Sequence, residues 1–252
     1  MSSLLEIQDL TVRYGAVVAV DDVSLDITAG TLVGLIGPNG AGKTTLIDAV
    51  CGFCPSRGRV TLGGRRIDVE PAFRRVRLGL ARTFQAGELF DDLSVADNIL
   101  LGSFRGRIVG AFREVLRCRP LRPGPDVLRI AELFGLSDVM DSVVGEVSVG
   151  TRKLVAVARA LAGSPRILML DEPAAGLDST ESKALGSVLR RLTETGLTLL
   201  LVDHDMDLVL DSCDAVHVLD SGRLIASGAG PDIRRNQRVV EAYLGAPTIG
   251  DA

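Results

Sequence analysis

The first part of the chain alternates apolar and polar positions as strands do. Val23 to Ile27 alternates regularly, which is typical of a half-buried strand. Leu32 to Ile36 is a short apolar run that ends in a glycine-rich turn, as a buried central strand would. A helix is predicted from Lys43 to about Val50, and a hairpin from Arg59 to Ile67.

The middle of the chain has a different period. From about Ala86 to Val147 the apolar positions recur mostly at helical spacing, and helix and strand patterns then alternate again. The later predicted elements are helices at Lys153 to Leu161 and Glu181 to Thr195, strands at Ile167 to Leu170 and Leu197 to Val202, a hairpin at Ala215 to Ile225, and a short helix before Tyr243-Leu244. We therefore predict one α/β domain over residues 1–245, with a helical subdomain inserted at about 86–160 and a short tail at 246–252.

Composition limits the classes of function that fit this chain. Hydrophobic residues make up 46% of the 252 residues and the net charge is −4, which is typical of a globular protein and argues against nucleic-acid binding through a broad basic surface. The N-terminus has no signal-peptide pattern, and apolar runs such as Leu197 to Val202 are too short to span a bilayer. If the protein works at a membrane, we expect a partner to anchor it there.

The four cysteines do not predict a metal site. Cys51 and Cys54 form a CxxC pair, but Cys118 and Cys213 are isolated and no histidine cluster completes a zinc set. We interpret all four as reduced thiols.

A phosphate-binding loop is the strongest motif. Residues 37–44, GPNGAGKT, match GxxxxGK[ST] at every fixed position and lie between a predicted buried strand and a predicted helix. Glycines allow successive N–H groups to face phosphate oxygens, and the helix N-terminus adds positive charge. Lys43 is expected to reach the outer phosphates and the Thr44 hydroxyl to bind Mg²⁺. The predicted nucleotide contacts here are Gly37, Asn39, Gly40, Ala41, Gly42, Lys43, Thr44 and Thr45.

Two later strands end in residues suited to phosphoryl transfer. The strand Ile167 to Leu170 leads into Asp171 and Glu172, and ligands of parallel sheets bind at that edge. We expect Asp171 to hold Mg²⁺ through water and Glu172 to polarise the attacking water. His204 follows the next strand and is expected to contact the γ-phosphate.

Together these motifs resemble the nucleotide-binding subunits of ABC transporters over nearly the whole chain. VSVGT at 147–151 resembles the family signature LSGGQ, with Ser148 and Gly150 matching and Val147 and Thr151 departing. The resemblance implies that Gln85 senses Mg²⁺ and touches the membrane partner, that Tyr14 stacks on adenine, and that Ala175 to Asp178 crosses to the other subunit. It implies a P-loop NTPase core with an N-terminal antiparallel β subdomain and the inserted helical subdomain.

The resemblance also implies a mechanism and partners. Two such domains, identical or homologous, sandwich two ATP molecules head to tail, each domain using its own phosphate loop and the other's signature serine. Hydrolysis opens the sandwich and drives permease subunits, with a solute-binding protein involved indirectly. The expected location is the cytoplasmic face of the inner or plasma membrane, with ATP and Mg²⁺ as ligands.

The branched-chain amino acid importers are the subfamily that the chain resembles most. LARTFQ at 80–85, NILLG at 98–102, EPAAGL at 172–177 and AYLG at 242–245 carry this resemblance. Two features depart from it: Asp178-Ser179 replaces the usual Asn-Pro, and the middle insertion is short. Lipopolysaccharide-export ATPases and urea or amide importers remain alternatives.

Other classes fit less well. A GTPase would need an NKxD motif and a chromosome-organising ATPase a long coiled coil, and neither is present in the sequence. A translation-associated ABC protein would normally carry two cassettes in one chain. A non-catalytic regulatory subunit would lack the base or the switch residue, whereas Glu172 and His204 are both present. The arginine-rich stretch at 101–122 is either a solvated face or a contact for anionic lipid or an acidic partner loop.

Overall fold

The structure, a computed structural model, describes residues 2–83, 89–103 and 123–244. Its strands are β1 (Ser3–Tyr14), β2 (Val17–Thr28), β3 (Leu32–Ile36), β4 (Arg57–Leu62), β5 (Arg65–Arg66), β6 (Leu80–Arg82), β7 (Ile167–Asp171), β8 (Thr198–Val202), β9 (Ala215–Asp220) and β10 (Arg223–Gly228). Its α-helices are α1 (Lys43–Cys51), α2 (Ala72–Arg77), α3 (Val95–Gly102), α4 (Pro125–Leu133), α5 (Val149–Ala162), α6 (Ser179–Glu194), α7 (Met206–Ser212), α8 (Gly230–Arg234) and α9 (Gln237–Leu244). Two 3₁₀ turns, at Ser137–Val139 and Val144–Glu146, precede α5.

Two sheets form the α/β part. The larger has the order β10-β9-β3-β8-β7-β6; its strands run parallel except for β10, which is antiparallel to β9 at the edge. The smaller has the order β2-β1-β4-β5 and is antiparallel throughout. The larger sheet therefore brings the carboxyl ends of β3, β7 and β8 to one edge.

Both faces of the larger sheet are buried, because side chains alternate between its two faces. Leu32 and Ile36 of β3 pack into one core with the helices around α5 and α6. Val33 and Leu35 pack into the other core, where α1 and the smaller sheet cover them. This explains why the central strands are continuous apolar runs rather than alternating ones.

Each predicted element has a counterpart in the structure, but several boundaries differ: β2 begins at Val17 rather than Val23, and α6 begins at Ser179 rather than Glu181. Helix α5 begins at Val149 rather than Lys153, because the Ser148 side chain caps it by accepting a hydrogen bond from the Thr151 N–H. Tyr243 lies within the last helix, α9, rather than after it, and so does Leu244. Helices α3, α4 and α5 all lie between β6 and β7 in the chain, where the helical insertion is predicted.

Candidate functional site

The phosphate loop is held tightly between two strands. It joins β3 to α1, and a Cβ added at Gly37 would lie 2.1 Å from the Leu219 carbonyl oxygen of β9. A Cβ at Gly42 would lie 2.4 Å from the Ala19 carbonyl oxygen of β2. Both glycines also have positive φ, of 155° and 100°. Only glycine fits at these two positions, so the curled backbone that the motif predicts is present.

The N-terminus of α1 is suited to an anion. Its N-cap is Gly42, which supplies no side-chain hydrogen bond to the first turn of the helix. The unpaired N–H groups of a first helical turn and the helix dipole favour a negatively charged ligand there. Thr44 is exposed and Thr45 half-buried in this turn, where hydroxyl groups can reach such a ligand.

Lys43 folds back over the loop that precedes it. Its side chain is buried, and Nζ donates hydrogen bonds to the carbonyl oxygens of Gly37 at 2.7 Å and Pro38 at 3.1 Å. Burial lowers the pKa of Lys43, while the nearby carboxylates of Glu172 and Asp171 oppose that effect. The ammonium group therefore lies within electrostatic reach of the predicted base, Glu172, and of the predicted Mg²⁺ ligand, Asp171.

Asp171 ends β7 and forms an ion pair with a buried arginine. Arg82 Nη2 lies 2.6 Å from Asp171 Oδ2, and the same guanidinium binds the Asp48 carboxylate of α1. The Thr83 hydroxyl accepts a hydrogen bond from the Asp171 N–H at 3.3 Å. Arg82 thus ties the predicted Mg²⁺ ligand to the helix that follows the phosphate loop, while Thr83 holds the end of β7.

Glu172, the predicted base, has a left-handed backbone. Its φ is 49°, which is uncommon for a residue other than glycine and frequent at functional sites. Its N–H donates to the Val202 carbonyl oxygen at the end of β8, at 2.7 Å. The turn directs the chain from the sheet edge into Pro173 and Ala174, and it places Glu172 beside the end of the next strand.

His204 follows β8 at the same edge of the sheet, as predicted. Its side chain is 60% exposed, and its Nδ1 lies 3.7 Å from Asp203 Oδ1. Asp203 itself is fully buried, and its carboxylate accepts hydrogen bonds from three backbone N–H groups. A buried carboxylate therefore forms the base of the turn that presents His204.

The signature residues lie at the exposed start of α5. Ser148 is exposed, and its hydroxyl oxygen accepts from the Thr151 N–H at 3.1 Å. A Cβ on Gly150 would lie 2.8 Å from Glu181 Oε1, so the start of α6 packs closely on this turn. Glu181 also completes a capping box with Asp178, the last residue of the predicted crossing loop.

Of the two remaining predicted contact residues, the structure describes Tyr14 but not Gln85. Tyr14 ends β1 with its side chain half exposed, and a hydrogen bond with the Cys54 thiol raises the pKa of the Tyr14 hydroxyl. Its exposed ring is available for stacking. Gln85 lies outside the described residues, and so does most of the arginine-rich stretch.

Four notable residues were missed as site residues by the sequence prediction. Arg82 was included only as part of a motif, although it contacts Asp171 directly. Lys153 and Asp203 were given no role; the rarity of lysine in this chain and the buried-strand context of Asp203 were the available signals. Val149, which is 58% exposed and stands at the first glycine of LSGGQ, is a third departure from that signature besides Val147 and Thr151.

The residues present fit Mg²⁺ with a nucleotide. Mg²⁺ is usually bound by one or two protein oxygens together with water and substrate phosphates, and Thr44 with Asp171 supplies such a set. Among the described residues, no group of three or more His, Cys, Asp or Glu side chains could hold a metal by itself. No helix in the described ranges is both long and apolar enough to cross a bilayer.

Comparisons with known families agree with these motifs. The family profile described as "ABC transporter" matches residues 20–175. A second profile, described as "Branched-chain amino acid ATP-binding cassette transporter", matches residues 223–247. The two matches together span the phosphate loop, the signature turn, Glu172 and the C-terminal helices.

Individual relatives match along nearly their whole length. The high-affinity branched-chain amino acid transport ATP-binding protein LivG of Salmonella typhimurium is 36% identical over 249 residues, covering 96% of this chain and 98% of the relative. The lipopolysaccharide export system ATP-binding protein LptB of Acidithiobacillus ferridurans is 35% identical over 249 residues, covering 97% of this chain and 98% of the relative. A crystal structure of the ADP conformation of an ATP-binding cassette of an ABC transporter superposes with a TM-score of 0.87, at 28% identity, covering 98% of this chain and 100% of that one.

Proposed function

The chain belongs to the ABC transporter family and is an ABC ATPase, and from that premise we propose that it powers an importer of branched-chain amino acids or related small polar solutes. The observation that carries the choice of cargo is the match of residues 223–247 to the branched-chain amino acid cassette profile. That segment includes α8 and α9 and lies outside the motifs that all such ATPases need.

Lipopolysaccharide export is the second candidate. The LptB relative is 35% identical to this chain, close to the 36% of LivG, so overall identity does not separate the two. The C-terminal match favours import. Urea or amide import is a further alternative within the same mechanism. Reconstitution with the cognate permeases, followed by assays of ATP-driven uptake of leucine and of urea and of ATP-driven extraction of lipopolysaccharide from the membrane, would separate the three.

We assign nucleotide binding to the phosphate loop and its neighbours. Tyr14 stacks on adenine, the backbone of residues 37–45 binds the phosphates, and Lys43 neutralises their charge. Thr44, Asp171 and Gln85 would hold Mg²⁺, which would neutralise charge on the phosphate oxygens. The fit rests on the two glycines that permit the loop and on the uncapped first turn of α1.

Hydrolysis is assigned to the sheet edge. Glu172 accepts a proton from the attacking water, and His204 contacts the γ-phosphate from the end of the neighbouring strand. Both residues follow paired strands of one sheet, and the Glu172 N–H is bonded to β8, so the two are positioned by the same scaffold. His204 is exposed enough to reach a ligand.

The assembly we propose is a head-to-tail pair. Ser148 and Gly150 of one subunit close on the nucleotide of the other, because the start of α5 is exposed. The second ATP-binding subunit is identical or homologous, the permease subunits bind this pair at the cytoplasmic face of the membrane, and a solute-binding protein acts indirectly. We take residues 1–245 as one ATP-binding domain, with the helical subdomain at about 86–160 facing the permeases.

The deciding experiment is Glu172→Gln in the purified full-length chain. We expect ATP binding to survive, hydrolysis to fall by at least about a hundredfold and ATP-dependent dimers to accumulate, because the amide cannot accept the proton. Glu194→Gln, at the exposed C-terminal end of α6, is the matched control and should hydrolyse ATP normally. Near-normal turnover in Glu172→Gln would refute the assigned base.

A further inference from the structure

Lys153 joins the signature helix to the predicted base. It lies in the second turn of α5, the helix that Ser148 caps, and its side chain is half-buried. Its Nζ donates a hydrogen bond to the Glu172 carbonyl oxygen at 3.2 Å. A single side chain therefore connects the helical subdomain to the backbone of the residue assigned to proton transfer.

The Glu172 backbone requires such support. Its left-handed φ of 49° costs free energy for a residue with a Cβ, and surrounding contacts must hold it. The Glu172 N–H is bonded to Val202, while its carbonyl oxygen accepts from both Lys153 Nζ and the Ala175 N–H, the latter at 3.3 Å. Lys153 is the side-chain member of this set and the one that comes from the helical subdomain.

Asp203 also holds the turn that follows Glu172. Its buried carboxylate accepts from the Ala174 N–H at 2.9 Å, the His204 N–H at 2.8 Å and the Asp205 N–H at 3.0 Å. It therefore ties the loop that follows Glu172 to the loop that carries His204. A buried carboxylate needs such donors and a nearby cation.

Lys153 interacts with Asp203 through its charge, while its described hydrogen bond goes to Glu172. Burial lowers the pKa of Lys153, and the negative charges of Asp203 and Glu172 oppose the effect. The ammonium group thus lies within electrostatic reach of Asp203 while it hydrogen-bonds Glu172. The hydrogen bonds of Lys153 and Asp203 link three segments that are separate in sequence, namely α5 and the segments after β7 and β8.

We propose that Lys153 and Asp203 are positioning residues that hold the Glu172 base and the His204 loop in register with the signature helix. The inference rests on the proposed function, since it assumes that Glu172 is the base. Its consequence is that loss of Lys153 impairs the chemical step while the nucleotide still binds, because the hydrogen bonds described for the Lys153 and Asp203 side chains go to the segments after β7 and β8 and not to the phosphate loop or α1.

The test is Lys153→Met in the purified full-length chain, with ATP turnover and the binding of a fluorescent ATP analogue measured in parallel. Methionine keeps an unbranched side chain that is shorter by only the terminal nitrogen, and it removes both the donor and the charge. We expect kcat to fall by about tenfold or more, with KM for ATP and analogue affinity within about twofold of the parent. Lys153→Arg, which retains donors and charge, should recover most of the lost kcat.

Lys183→Met is the matched control, because Lys183 is an exposed lysine on α6 and should tolerate the change. A kcat for Lys153→Met within about twofold of this control, or a raised KM with unchanged kcat, would overturn the proposal. If Lys153→Met does not stay folded at the assay temperature, Lys153→Gln is judged by the same two criteria. Glu172→Gln, assayed alongside, distinguishes failure of the proposed function from failure of the positioning proposal. If Glu172→Gln retains turnover, the assignment of Glu172 as the base is wrong, whatever the result for Lys153→Met.

Discussion

Two helix N-termini in this molecule differ in how they are prepared for a nucleotide. The start of α1 is capped by Gly42 without any side-chain hydrogen bond, and Lys43 beside it is only 8% exposed. The start of α5 is capped by its own Ser148 hydroxyl, and Val149 beside it is 58% exposed. The first terminus is enclosed by the chain's own strands, whereas the second faces outward.

The difference follows from where each terminus finds its partners. At α1 the glycines lie against carbonyl oxygens of β2 and β9, so the loop conformation is imposed by the fold. At α5 the cap is a local bond between residues three apart in sequence, which needs no distant contact. We conclude that the phosphate loop is preorganised by the chain's own strands, whereas the signature turn is exposed, as the proposed head-to-tail pair requires.

The largest expected effect is at the phosphate loop. Gly37→Ala places a Cβ against the Leu219 carbonyl in a backbone that L-residues rarely adopt, and we expect about 4 kcal/mol of lost stability and no measurable ATP binding. Gly40→Ala is the control: φ is also positive, at 81°, but no atom lies within 4 Å, so about 1 kcal/mol is expected. Chemical unfolding measures the stability of both variants, and nucleotide titration measures ATP binding by Gly37→Ala. Equal losses in the two variants would contradict an enclosed loop.

The next effect is at the ion pair behind the loop. Arg82→Met removes the cation that Asp48 and Asp171 share. The Asp171 carboxylate, whose side chain is only 11% exposed, then loses this ion-pair partner. We expect about 3 kcal/mol of lost stability, at the low end for a buried pair because Asp48 is 31% exposed. We also expect a weaker response of turnover to Mg²⁺. Arg223→Met, which breaks an exposed pair with Asp21, should cost little.

The smallest effect on stability is at the signature turn, where two variants separate capping from catalysis. Ser148→Ala should cost about 1 kcal/mol through the lost cap. Ser148→Asp should keep the cap and the stability, yet place a negative charge where the partner's phosphates are proposed to lie. We therefore expect Ser148→Asp to bind ATP but lose turnover in the assembled pair. Normal turnover in both variants would remove Ser148 from the mechanism.

The candidate site could be predicted largely from local patterns. The phosphate loop, the carboxylates after β7 and the histidine after β8 each occupy a few consecutive residues next to an apolar strand. Parallel strands share one edge for their carboxyl ends, so these segments were expected to meet. The predicted start of α5 is too late, because the apolar face of this helix begins after the capping serine.

What the sequence by itself determined is the set of elements and the chemistry at their ends, since apolar periodicity, glycine turns and motif spacing act over short stretches of chain. Only the tertiary structure decided that Arg82 would pair with Asp171, that Lys153 would reach the Glu172 carbonyl and that Asp203 would be buried beneath His204. These contacts depend on strand order and on how α5 packs over the sheet. Burial of both sheet faces brings these elements together, so side chains that are distant in sequence meet there. No pattern among neighbouring residues specifies which of these side chains come into contact.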